Sequence, residues 1–424
     1  MREVKNLVGT SKEKRQTSLP KKNSRHHTNT VRIQYPWLYA SIVLFLTVPL
    51  FIFFMGYLRL SIGIPLVIIF LGMVIYAVSD CLNDPNGLKL SKGENDIEIP
   101  VSYLVGFAVT ALVVSFVSGV GEYIFTVQDH DFRRAILRDL IDYDWPVIYD
   151  YKTQENPDVQ AIFGIASGKR AFSYYFLYWM PAALVGKAFG FGAGNFFLLL
   201  WNALGIFLCL IATSVVIRRY TLSVPFFFIF FSGLDLIPYV VHELTGYEEW
   251  FWLEGYVPYL SYVCNFRELA CVFNQIVPCF LVVALLLMSH NTRSMGLTAG
   301  ILFGYSPWAV FGIIPIVGTM LFNKKNRADK LSRTLANTFS PVNIASAAFL
   351  LLILGSFYSA NSAATDYQGF TWTFYDDPLS FIPAYVIFIA LEVLPFVLIL
   401  FSSKKDDALF KASVATLLLI PFYR

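Results

Sequence analysis

Long apolar runs alternate along the chain with short clusters of charge, and inside the runs polar positions nearly vanish. Leu38 to Met55, Ile62 to Val78 and Ala270 to Met288 each approach the about 20 apolar residues that a helix needs to cross a bilayer core. On this pattern spans are expected at 38–56, 62–79, 102–119, 196–216, 224–241, 270–289, 341–357, 379–401 and 408–422. A further run at 296–322 is interrupted at Gly304, Ser306 and Pro307, too long for one span and short for two, so a hairpin that enters and leaves from one side is expected. The run Tyr174 to Phe189 (YYFLYWMPAALVGKAF) is expected as an amphipathic or partly embedded helix at the outer interface, because counting it as a span would invert everything after it.

Orientation follows from the basic residues. The first 32 residues hold nine Lys/Arg against Glu3 and Glu13, with no small-residue cleavage site ahead of the first apolar run, and read as a cytoplasmic tail rather than a signal peptide. Placing Arg218-Arg219, the His290-to-Arg293 turn, Lys324 to Arg333 and Lys404-Lys405 on the tail's side satisfies every basic cluster near a span end. The domains expected are a basic, disordered tail (1–36) and a transmembrane domain (37–424) with exterior loops at 120–195 and 242–269.

Composition agrees: 56% of the 424 residues are hydrophobic and 14% charged, which excludes a soluble globular enzyme. Net charge is +3, and because the tail's nine Lys/Arg against two Glu exceed it, the remainder is slightly acidic and no basic face remains for nucleic acid. Cys81, Cys209, Cys264, Cys271 and Cys279 have no metal-ligand spacing; Cys264 and Cys271 are the one pair weighed for a disulfide, and free thiols are expected.

The candidate chemistry lies in the exterior loops. Asp129 to Asp144 (DHDFRRAILRDLIDYD) reads as a helix just past a span end, with Asp131 beside Arg134 by helical spacing. Asp131 or Asp129 could serve as a base, and Arg133 and Arg134 could meet a phosphate; the plain alternative is a solvated helix laced with ion pairs. His130 has no second histidine at ligand spacing, whereas Mg²⁺ or Mn²⁺ on Asp129 and Asp131 is compatible but not demanded. Asp235 and Glu392 are carboxylates inside apolar spans, functional candidates by default. Glu249 and Trp250 suggest a carbohydrate-stacking surface or an interfacial aromatic belt, and Arg267 and Gln275 top the next span, where a guanidinium could hold a lipid phosphate.

The order of these features resembles the membrane-embedded GT-C glycosyltransferases. The resemblance rests on the tract SGVGEYIFTVQDHDFRRAILRDLIDYDWPVIY, the YYxxYWxPAALxGK segment, and FSGLD and CVFNQIVP further on, covering roughly residues 102–290. It implies an all-α polytopic bundle, here of about eleven spans with amphipathic helices on the outer face of the plasma membrane. It further implies an inverting transfer of a sugar from a polyprenyl-phosphate donor to an envelope glycan, teichoic acid, glycolipid or protein, with Asp131, or else Asp129, as the catalytic carboxylate. Spans 38–56 and 62–79 depart from the pattern by preceding the span that normally comes first, which confines the carry-over to Asp129 to Arg134. The alternatives are a transporter, flippase or polymerase of lipid-linked polysaccharide. A transporter would show matched interrupted helices, and the sequence displays one break, at 304–308, without a partner.

Overall fold

The computed structural model describes residues 29–83, 96–124, 126, 128–150, 169–234, 236–245, 254–289, 292–322, 328–359, 369–404 and 407–422. It is mostly helical. The first half comprises β1 (Thr30–Gln34), α1 (Tyr35–Gly56), α2 (Leu60–Asn83), β2 (Asp96–Pro100), α3 (Val101–Val117), α4 (Gln128–Asp142), β3 (Ile148–Asp150), β4 (Lys169–Ala171), α5 (Met180–Phe189) and α6 (Phe191–Ile217). The second comprises α7 (Ser223–Phe230), α8 (Leu236–Thr245), α9 (Asn265–Met288), α10 (Met295–Tyr305), α11 (Ala309–Phe322), α12 (Ala328–Thr338), α13 (Pro341–Tyr358), α14 (Phe381–Glu392), α15 (Leu394–Lys404) and α16 (Ala408–Leu419). Two antiparallel ribbons, β1 with β2 and β3 with β4, are small additions to an α-helical bundle.

Among the described residues five helices are long and apolar enough to cross a membrane: α1, α2, α6, α9 and the stretch Ser332–Tyr358 that ends in α13. The bent pair α14 and α15 would make a sixth. α2 shows why these are membrane helices and not a soluble core: Ile62, Ile64, Ile68, Leu71 and Ile75 are exposed, a large apolar face that water does not tolerate.

Contacts sort the helix ends into two groups. At one, the tail end, Tyr35 Oη donates to the Met288 carbonyl (2.8 Å), Arg293 pairs with Asp80 (2.8 Å) and Thr292 Oγ1 donates to the Thr334 carbonyl (3.1 Å). At the other, the loop end, Tyr57 Oη donates to the Phe172 carbonyl (3.2 Å), Ser173 Oγ donates to the Phe357 carbonyl (2.9 Å) and Lys187 Nζ donates to the Tyr143 carbonyl (2.6 Å). The Arg293 turn and α12 therefore share an end with the start of α1.

Two hairpins enter the bundle from opposite ends. α10 leaves the tail end beside Tyr39, which hydrogen-bonds Ser294 (3.1 Å), breaks at Ser306 to Trp308, and α11 returns toward α12. The break expected near Gly304 to Pro307 is there. From the loop end, residues 172–176 descend past Tyr57 and Phe53, turn at Leu177–Trp179, and α5 climbs back to place Lys187 against Trp145. Residues 176–180 are at most 2% exposed, so this segment is embedded in the core rather than lying on the outer interface. The tips meet: the Tyr178 and Tyr305 rings are 6.4 Å apart, and Gly304 lies against Leu177. Such turns survive at depth only when protein encloses their polar groups, here Tyr178 Oη on Asn202 Oδ1 (2.8 Å) and Asn202 Nδ2 on Ser115 Oγ (3.0 Å).

Two other expected spans are interrupted. The run 224–241 is split into α7, ending at Phe230, and α8, starting at Leu236, with Phe231 to Leu234 outside both helices, and 379–401 bends by 45° at Val393. The last run gives only the 12-residue α16 before a short 3₁₀ turn. These breaks, with α3 at 17 residues, are why five or six helices of spanning length stand where about eleven spans are expected.

Candidate functional site

At the loop end α4 packs on α5, and Arg133 in its second turn reaches the top of α9. Its sequence is amphipathic: His130 (3% exposed), Leu137 and Leu140 face the bundle, while Phe132 (69% exposed) faces away. Asp129 and Asp131 occupy the first turn, where the helix dipole favours carboxylates. Below them α9 is kinked at Val272 (φ −141°, ψ 39°), which interrupts its hydrogen-bond ladder. Arg133 fills the interruption, donating to the Ala270 carbonyl (3.4 Å), and His130 engages the same carbonyl. Side chains inserted into a ladder are a recognised cause of kinks.

Arg133 is the hub. Its guanidinium lies 3.6 Å from the Asp129 carboxylate and 5.7 Å over the Phe273 ring, with Tyr174 close enough to feel its charge. Its side chain is 13% exposed against 54% for Asp129, so the pair has a buried cationic side and an open anionic one. Burial lowers the Arg133 pKa and the Asp129 charge opposes that shift. Burial first, and Arg133 second, push His130 below the ordinary imidazole value, which leaves it neutral at pH 7.

The other expected site residues divide. Asp131 is exposed, and Arg134 does not pair with it but with Glu122 (2.8 Å), stacking over Phe191 at 5.9 Å. Arg267 lies 3.7 Å from buried Glu254, whose Oε1 accepts from the Cys264 N–H (2.7 Å); that guanidinium is engaged internally. Gln275 is half-buried on α9, one turn beyond the kink. Asp235, Glu249 and Trp250 lie outside the described residues, as does the tail through residue 28. All five cysteines are free.

Sequence reasoning missed Tyr174, Phe273, Glu122 and Glu254 as members of this neighbourhood. Only Glu122 carried a signal, standing in the SGVGE turn, where Gly119, Gly121 and Glu122 all take positive φ and aim the carboxylate back at α4. Beneath Phe273 two buried donors, Trp179 Nε1 and Asn274 Nδ2, have no hydrogen-bond partner among the described residues. The described residues contain no group of three or more His, Cys, Asp or Glu able to hold a metal ion. The sequence matches no family model, and no curated protein or solved structure matches it.

Proposed function

We propose that the protein is a membrane glycosyltransferase that moves a sugar from a polyprenyl-phosphate donor to a cell-envelope glycan, teichoic acid, glycolipid or protein, with the loop end facing outside. One observation carries this reading: an open carboxylate, Asp129, held against a half-buried guanidinium, Arg133, at the rim of an apolar bundle. A lipid-linked phosphate lies at that depth, with its chain among the helices and its sugar in water. In the reaction the acceptor hydroxyl gives its proton to the carboxylate as its oxygen bonds to the anomeric carbon, and the bond from that carbon to the phosphate oxygen breaks. Guanidinium charge then offsets the anion that departs. Inversion puts the incoming and leaving oxygens on opposite faces of the sugar, so binding has to part the Asp129–Arg133 pair.

The geometry favours Asp129 over Asp131 as the base, since Asp129 shares a helix face with Arg133 and Asp131 is turned away from it. Mg²⁺ or Mn²⁺ would have these two carboxylates alone among the described residues, a poor donor set, and no step is assigned to a metal. The sidedness has its own check: a cysteine replacing exposed Lys169, in β4, is expected to react with an impermeant maleimide in intact cells, and silence there with reaction after lysis reverses the orientation.

The opposed hairpins favour a second reading, a transporter of lipid-linked polysaccharide, because interrupted elements meeting at mid-depth are how many transporters build their sites. Analysis of envelope glycans in a deletion strain separates the two. Loss of one sugar branch from an otherwise intact polymer is the result expected for the transferase. Accumulation of an unexported lipid-linked precursor, with every sugar branch present, would reject it in favour of transport.

A further inference from the structure

A basic pair closes α6 at the tail end. Helix α6 starts at the loop end, where Asn195 Nδ2 donates to the Gly121 carbonyl (2.7 Å), and its 27 residues bring Arg218 to the opposite end. Arg218 stops the helix in a left-handed conformation (φ 56°, ψ 40°), and the Arg219 N–H donates to the Ser214 carbonyl (3.0 Å). The chain then turns, Leu222 packs against Gly106 near the start of α3, and α7 begins at Ser223. Both arginines are exposed, and among the described residues no carboxylate pairs with either. Between α6, α7 and the start of α9 lies a cavity of about 380 Å³, lined by Arg219 and Ser223 beside the turn and by Ile217, Phe227, Phe228 and Phe231. Asn265 Nδ2 donates to the Phe228 carbonyl (2.6 Å), which ties α9 to α7 along the same cavity. Ile217, Phe227 and Phe231 are exposed, so the cavity opens on the lipid-facing surface and not into the core.

A guanidinium at the end of an apolar helix stands at the depth of lipid phosphates and can hold one through two parallel hydrogen bonds. Thr221 Oγ1 lies 2.6 Å from Ser223 Oγ, and with the threonine as donor the serine proton is left for a phosphate oxygen. That hydroxyl sits at the first turn of α7, where the helix dipole favours an anion. The groove beside it suits hydrocarbon, and its volume falls within the about 300–1,000 Å³ usual for ligand pockets. We propose that this cavity seats one anionic phospholipid of the leaflet at the tail end, with its phosphate on Arg219 and Ser223 Oγ and one acyl chain along Ile217, Phe227, Phe228 and Phe231. Charge selects the class: Arg218 beside Arg219 leaves the site cationic after one phosphate is bound, which repels the ammonium of a zwitterionic headgroup. An arginine that merely snorkels to bulk headgroups uses the same charge but not the groove. This inference stands independently of glycosyl transfer.

Native mass spectrometry of the full chain released from detergent micelles reads the seat, with phosphatidylglycerol titrated against phosphatidylcholine of the same acyl chains. The expected result is one tightly held phosphatidylglycerol, with phosphatidylcholine at least about tenfold weaker, the equivalent of one charged hydrogen bond. Arg219→Ala is expected to erase that preference, while Arg333→Ala, which removes the same charge from exposed α12 at the same end, leaves it intact. Arg219→Lys keeps the charge and loses the planar fork, so a several-fold loss of phosphatidylglycerol affinity is expected. Equal losses in the two alanine variants, or wild-type affinity in Arg219→Lys, would mean attraction by bulk charge and overturns the proposal. Glycerophosphoglycerol, the same headgroup without chains, should fail to displace the bound lipid; displacement at equal concentration would mean that the groove holds no chain and also overturns it. Equal affinity of the wild-type protein for the two lipids overturns it whichever variants fold.

Discussion

Asp129→Asn is expected to abolish most sugar transfer, lowering the rate by about 10²–10⁴-fold, the usual cost of losing a general base. The amide keeps the shape and leaves an oxygen at the present 3.6 Å contact with Arg133, but it cannot take the acceptor's proton. Donor binding should persist, because the guanidinium and the Phe273 platform are untouched. The loss should therefore fall on kcat and not on KM. Asp131→Asn is the matched control: exposed on the same first turn, it should retain activity within a few-fold. If Asp131→Asn alone is inactive, the base is Asp131. Wild-type transfer by both amides would falsify the α4 mechanism and strengthen the transport reading.

Gly296→Ala should be the most destabilising single-methyl change in the second half of the molecule. α10 and α13 run parallel in close contact, with Gly296 against Asn343, Gly300 against Leu350 and Gly304 against Leu354. At Gly296 an added Cβ would stand 2.1 Å from the Asn343 backbone oxygen, which no rotamer change relieves. Asn343 is itself clamped: its Oδ1 accepts from the Gly296 N–H (2.6 Å), and its Nδ2 donates to the Thr292 and Thr338 carbonyls (2.9 Å each). Separating the helices would break this network, so a cost of about 1–3 kcal/mol or more is expected. Thermal unfolding in detergent measures it against Gly355→Ala on α13, where the new methyl meets open space. Equal midpoints for the two variants would mean that the α10–α13 contact is not close.

The spacing of these glycines, three at four-residue intervals, stood in the sequence unread, because a small-residue stripe acquires meaning only once its partner helix is known. The same limit explains the neighbourhood of Arg133. The helix around Asp129 was legible from its charge spacing, but the face toward α9 was not. Arg134 was expected beside Asp131 by local periodicity and instead reaches Glu122, twelve residues back, across a positive-φ turn.

By itself the sequence determined the character of the molecule: an apolar helical bundle, basic clusters gathered toward one end, an amphipathic helix bearing the acids, and a break in the run at 296–322. These are sums over neighbouring residues, transfer free energies and helical periods, that need no knowledge of partners. Only the tertiary structure decided that residues 172–189 plunge into the core, that 224–241 and 379–401 are interrupted, and that Glu392 lies between the interruptions. Lipid and packed protein are nearly equivalent solvents for an apolar side chain, so hydropathy cannot tell a crossing from a hairpin. The distinction lies in the backbone groups at each turn, which survive away from water only where distant residues such as Asn202 and Tyr256 enclose and complete the polar sites.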